Sequence, residues 1–276
     1  MRRAPSHNVA IHTGAIVVLA MVLPSLLGAQ WLTHPTPGLP KKADGTPNLT
    51  APTPRNADGH PDLSGIWMTE DRPCGPQGCR DLPVGEEFFD IGHGIKGGLP
   101  YQPWAAELVK KRMADNAKDD PDPFCLPQSI VKMHTAPLMR KYIQIPGLFL
   151  ILNERAAVYR QIFTDGRKLE DDPNPTWRGY SVGAWEGDVF VVHSNGFKDD
   201  LWMDRNGDPM TSAAKLTERF RRPDYGNLYI DITVDDSKAY TRPWTATLHQ
   251  HIQANTELLD FFCEENEKDI PHLVGK

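Results

Sequence analysis

The chain has 276 residues with 36 acidic against 30 basic side chains, a formal net charge of −6. That balance gives no basic face for a phosphate backbone and argues against nucleic acid as a partner. The length suits one large or two small domains, and Cys is scarce, with four in all.

Residues 1–29 read as an export signal. Arg2 and Arg3 form a positive start, Gly14 to Leu27 an apolar stretch containing Pro24, and Leu27-Gly28-Ala29 a small-residue cleavage site before Gln30. The apolar stretch is shorter than the roughly 20 residues that span a bilayer, although an uncleaved anchor is the alternative. No Cys follows it, which argues against a lipid anchor. The expectation is a periplasmic or secreted protein with no stable membrane insertion after cleavage. Loss of Arg2 and Arg3 moves the charge to about −8.

Residues 30–63 are rich in Pro, Gly, Asn and Thr and read as an extended arm or linker. Within them Ala43-Asp44-Gly45-Thr46-Pro47-Asn48-Leu49 is echoed by Ala57-Asp58-Gly59-His60-Pro61-Asp62-Leu63. Two copies are too few for a solenoid and predict two similar turns. Ser64-Gly65-Ile66-Trp67 then opens the first strand, and residues 64–276 read as a single domain.

Residues 70 to 100 read as loop. Cys74 and Cys79 flank Pro76 and Gly78, a spacing suited to a small closed loop. An even Cys count in an exported chain predicts two disulfides, Cys74 with Cys79 and Cys125 with Cys263. A four-thiolate zinc site is the alternative, but the CxxC spacing it needs is missing.

A helix is expected over 103–117, inserted after the first strand, with Pro103 early and Trp104, Leu108 and Met113 near one face. Beyond it, runs of Val, Ile, Tyr, Phe and Thr alternate with turn chemistry. Thr164-Asp165-Gly166, Glu186-Gly187-Asp188, Pro223 to Asn227 and Asp235 to Lys238 are the turns. Strands are expected at 143–145, 148–154, 157–164, 180–185, 189–194, 215–222, 228–234, 239–249 and 258–264. The expected fold is mainly β: an antiparallel barrel of about 8–10 strands, closed because a long meander must bury its edges.

Gly65-Ile66-Trp67 followed by such a meander resembles the lipocalin and wider calycin barrels. In those a Trp closes one end against a basic residue from near the C-terminus, a role the resemblance would give Arg242. A longer set of segments resembles a large group of exported bacterial proteins. It comprises Pro61-Asp62-Leu63-Ser64-Gly65-Ile66-Trp67, Asp165-Gly166-Arg167, Pro175-Thr176-Trp177-x-Gly179-x-Ser181-x-Gly183-x-Trp185-Glu186-Gly187-Asp188, Gly196-Phe197, Thr217 to Arg222, and Tyr240-Thr241-x-Pro243-Trp244. These cover most of residues 57 to 266. The group has no settled activity, so the resemblance implies no catalytic residue. The chain also departs from it: between Gly207 and Leu216, where the group often has His, it has none.

Several residue types point to a bound small molecule. Trp177, Trp185, Trp202, Tyr240 and Trp244 lie in or beside strands and suit a flat or amphiphilic ligand, or else serve as barrel core. Arg160, Asn195 and Arg219 are polar groups among them. An enzyme would use His193 with Asp204 or Glu218 as proton-transfer groups, although Glu218 reads first as half of a structural salt bridge with an Arg from a neighbouring strand. His249 and His251 share a strand face but would need a third ligand from elsewhere, such as His193, His134 or an acid, and the calcium-like run Asp204-x-Asn206-x-Asp208 lacks its closing acid. No metal or cofactor is therefore assigned. No Gly-x-Ser-x-Gly elbow, P-loop or dinucleotide fingerprint is present. The leading expectation is binding of a small, partly apolar or aromatic molecule. A cofactor-independent isomerase, lyase or hydrolase is the second, and a cell-envelope structural or interaction module the third; the oligomeric state is open.

Overall fold

Alternating strands leave one apolar face each, and closure buries those faces together. The structure, a computed structural model, describes residues 34–69 and 86–262 and contains a closed barrel of nine strands. In chain order its members are β1 (Gly65–Thr69), β2 (Arg140–Ile145), β3 (Leu148–Asn153), β4 (Tyr159–Phe163), β5 (Tyr180–Glu186), β6 (Val189–Asn195), β9 (Lys215–Arg221), β10 (Asn227–Asp235) and β11 (Trp244–Ile252). β7 (Leu201–Trp202) and β8 (Pro209–Met210) form a separate two-stranded ribbon. Around the barrel the order is β1-β11-β10-β9-β6-β5-β4-β3-β2.

The expectation of an antiparallel barrel holds for every pairing but one. β4 and β5 run parallel and meet at a single position, Phe163 opposite Val182. Residues 164–179 must return along the length of the barrel before β5 begins, and only such a crossover can join parallel neighbours. Of the expected strand at 258–264, the described residues, to 262, form one bridge, Phe261 with Arg155. The strand expected from 239 begins at Trp244, because the Asp236 turn occupies Ala239 and Tyr240.

The barrel has no open lumen along its middle. Register aligns Trp67 with Arg140 and Ile252, Tyr142 with Ile151, and Phe190 with Phe220, all pointing inward. Phe149, Phe190, Phe220 and Tyr142 pack there at ring separations of 5.1 to 6.3 Å.

Each end is capped. At one end lies the arm, where the echoed sequence forms two matching turns. Lys42 N–H donates to Thr46 O at 2.8 Å and Asn56 N–H to His60 O at 2.9 Å, with Gly45 and Gly59 both at φ 83°. Positive φ explains the glycine in each copy. The arm is tied to the barrel by Tyr225 N–H to Ala51 O at 2.8 Å, by the Arg55–Asp188 ion pair, and by His60 stacked on Trp185 at 4.8 Å.

Helices cap the other end. The expected helix is α2 (Pro103–Ala114), which follows the short α1 (Glu86–Phe89). Its buried stripe is Ala105, Val109 and Arg112, while Trp104 and Met113 are exposed. The expected face is therefore offset, because Arg112 is drawn inward over the Trp202 ring at 4.3 Å. A helix not expected from sequence, α3 (Ile130–Thr135), is buried at every position. Being buried all round it carries no amphipathic period, and six residues are too few to show one. Ser129 caps its start by accepting from Lys132 N–H at 3.2 Å. Buried Arg140 donates to the carbonyls of Met133 and Ala136 at its end.

Trp67 is fully buried, and its indole N–H donates to Leu63 O at 2.9 Å. The cation against it is Arg222, 4.8 Å from the ring centre, and not Arg242, which is exposed. Arg222 follows β9 and also holds the carbonyls of Asp62 and Tyr225. Replacing Trp67 by Phe should lower unfolding stability by about 1–3 kcal/mol, because the buried Leu63 carbonyl loses its donor. Denaturant titration reads the loss; an unchanged midpoint would mean that this clasp does not hold the end.

Candidate functional site

Glu218 points inward from β9, fully buried. Arg160 of β4 receives it as a two-pronged guanidinium pair, with Nη1 to Oε1 at 2.9 Å and Nη2 on Oε2. His134 of α3 adds a bond from Nε2 to Oε1 at 2.9 Å. Beyond it, the Tyr142 hydroxyl donates to Gln250 Oε1 at 2.9 Å, and Thr69 donates to the His134 carbonyl at 2.7 Å. Ser181 and Ser194 complete the surroundings of Arg160, at 3.1 and 3.0 Å from Nη2.

Burial alone would raise the Glu218 pKa, yet the Arg160 charge and the bonds from His134 and Arg160 hold it at about 2. Burial lowers that of His134 despite the adjacent carboxylate. His134 is thus neutral near pH 7 and donates through Nε2–H, while Arg160 alone balances the charge.

Arg160 and Ser181 also line a cleft on the barrel wall, where β4 and β5 diverge from their single contact. Tyr159, Gln161, Phe163, Trp177, Arg178 and Tyr180 complete most of its wall, and its volume is about 670 Å³. The segment carrying Trp177 and Arg178 is pinned by Thr176 N–H to Gly196 O and Lys198 N–H to Thr176 O, at 2.9 and 3.0 Å. Gly179, at φ 62°, lies so close to Asn195 that a Cβ would sit 2.2 Å from its carbonyl oxygen. A second cleft of about 300 Å³ lies at the barrel mouth between the arm, at Asn56 to Asp58, and Gln144 to Phe149, Trp185 and Phe190.

The expected site residues do not converge. Trp177 and Arg160 share the seam cleft, and Trp185 lines the mouth cleft. Trp202 is buried beneath Arg112 and Lys132, while Tyr240 and Trp244 pack in the core. Asn195 donates to Glu170 O at 2.7 Å, and Arg219 pairs outside with Glu186 at 2.8 Å. His193 is exposed and bonds Thr217 at 3.1 Å; Glu218 lies opposite Val192 and so faces the other side of the wall. Asp204 is elsewhere, accepting from the N–H groups of Ile91, Gly207 and Asp208. His193, Asp204 and Glu218 therefore form no proton-transfer set.

Sequence reasoning missed Arg178 and considered His134 only as a third metal ligand, not as the partner of Glu218. His134 sits on the unexpected helix, and Arg178 was passed over between Trp177 and Gly179, although its cationic type beside an aromatic was a usable signal. His249 and His251 do lie side by side, ring centres 4.2 Å apart, with His249 bonded to Asn227 at 2.8 Å. Asp90, Asp204 and Asp208 bring ligand oxygens within 4.8 Å of one another. Burial, then the Asp204 charge, pushes the Asp208 pKa well up. Tyr101 donates to Asp208.

Both central groups make the fold sensitive to acid. His134 has a depressed pKa when folded, so its contribution is complete above 6.5 and declines as pH falls below that value. Glu218 contributes fully above 4.5 and loses its share as pH drops toward about 2. Glu218→Gln should cost about 3–5 kcal/mol at pH 7, leaving Arg160 buried without its counter-charge, and should flatten the slope below pH 4.5. Thermal midpoints across pH 2–7 test this; parallel wild-type and variant curves would remove Glu218 as the acid-sensitive group.

No protein-family model matches this chain, and no curated protein matches it.

Proposed function

We propose that this chain is an exported, lipocalin-like barrel protein that binds a small, partly apolar or aromatic molecule, and that the molecule lies in the seam cleft. The observation that carries this reading is the cleft itself. At about 670 Å³ it falls within the range of small-molecule sites, and Tyr159, Phe163, Trp177 and Tyr180 supply flat apolar walls beside Arg160 and Arg178. The filled barrel axis favours a wall site over a lipocalin-type central cup.

The leader at residues 1–29 lies outside the described residues, and export rests on its sequence pattern. Cys74, Cys79 and Cys263 lie outside them as well, while Cys125 has no free thiol. The pairing of Cys125 with Cys263 is supported by their neighbours. Phe261 exchanges backbone bonds with Glu154 and Ala156, and Arg155 between these holds the carbonyls of Asp122 and Leu126. An enzymatic role finds less support, because His193 stands on the outer face away from Glu218.

Native mass spectrometry of the protein recovered from its own cell envelope should reveal a co-purifying small molecule. Trp177→Ala should weaken its retention about tenfold or more, with an unchanged fold by circular dichroism. Protein that carries no molecule and takes up none from a cell extract would sink the binding reading.

A further inference from the structure

The chain is acidic overall, yet no carboxylate lines the seam cleft. Two guanidinium groups line it instead. Arg160 is already balanced by Glu218 behind it, and its Nε has no partner. Among the described residues no acid pairs with Arg178, and its Nε and Nη2 are closed off from solvent without a hydrogen-bond partner. Burial, followed by the charges of Arg160 and Arg155, lowers the Arg178 pKa to about 10, so the group is still cationic near neutral pH. A half-buried cation whose charge no carboxylate offsets is a costly arrangement for the fold alone. It is held in place all the same, on the pinned segment that ends at Gly179, between two aromatic side chains of the cleft.

We propose that the molecule bound in the seam cleft is a monoanion, an aromatic or otherwise flat apolar carboxylate, whose charge is offset by the Arg178 guanidinium. This inference rests on the seam cleft being the binding site. Trp177, Tyr159 and Tyr180 take the apolar body. A single charge fits better than two, because Arg178 is the one guanidinium of the lining whose charge no carboxylate offsets. Arg160 marks the inner limit of the cleft and is committed to Glu218, Ser181 and Ser194.

The test titrates the full chain with 2-naphthoate, 2-naphthamide and 2-naphthyl phosphate, read by calorimetry and tryptophan fluorescence. Wild-type protein should bind 2-naphthoate at least about tenfold more tightly than the uncharged amide. Arg178→Gln should erase that difference while leaving the amide affinity in place. Its thermal midpoint should hold or rise, since an unpaired, half-buried charge is removed. Arg178→Lys, which keeps the charge without the guanidinium, should retain only part of the preference. Equal binding of naphthoate and naphthamide to the wild type would overturn the anion assignment and leave the cleft reading standing. Tightest binding of the phosphate would overturn the assignment of a single charge. Failure of all three probes, or binding indifferent to Trp177→Ala, would overturn both readings.

Discussion

A carboxylate in the middle of a closed barrel is tolerable only when a cation and hydrogen bonds surround it, and Glu218 meets that condition through Arg160 and His134. The three groups come from β9, β4 and α3, so one interaction ties separate parts of the sheet to the helix that stops one end. Arg140 then fastens that helix by its carbonyls, and Tyr142, Gln250 and Thr69 satisfy what is left. Space that a cup-like barrel would leave for a ligand is taken by this network and by the ring cluster of Phe149, Phe190 and Phe220. The central charge pair thus makes the barrel solid and moves the available volume to its wall and mouth.

The wall opens where its pairing is weakest. Every other neighbouring pair in the barrel is antiparallel and zipped over several residues, while β4 and β5 touch at one position. The unpaired lengths of both strands face the seam cleft, and the crossover of residues 164–179 delivers Trp177 and Arg178 to it. A topological irregularity and an unbalanced cation therefore coincide. Inward-facing Arg160 and Ser181 reach the same cleft from behind, which connects it to the buried carboxylate without exposing Glu218 itself.

Much of the architecture was legible from residue order. Turn chemistry at Thr164 to Gly166 and Glu186 to Asp188, and the alternation of Leu228 to Val234, are local properties, and the corresponding strand ends fall where those signals stand. The echoed Asp-Gly turns are local too, which is why both copies take the same hydrogen bonds. Less was legible of the site. Trp177 and Arg160 were singled out and do meet, yet the other expected ligand residues scatter over core, mouth and outer surface. His193 and Glu218 do lie on adjacent strands, but register places them on opposite faces.

The sequence by itself determined a strand-rich barrel that starts at Trp67, its period-two faces and most of its turns, because those depend on neighbours a few residues apart. It also determined a net acidic charge. Tertiary structure alone decided the parallel seam, the helix that carries His134, the choice of Arg222 over Arg242 against Trp67, and the isolation of Arg178. Each of these depends on which distant segments share a low-dielectric interior, where one partner or its absence changes the charge balance. Such pairings leave no period in the chain, so closure of the barrel had to reveal them.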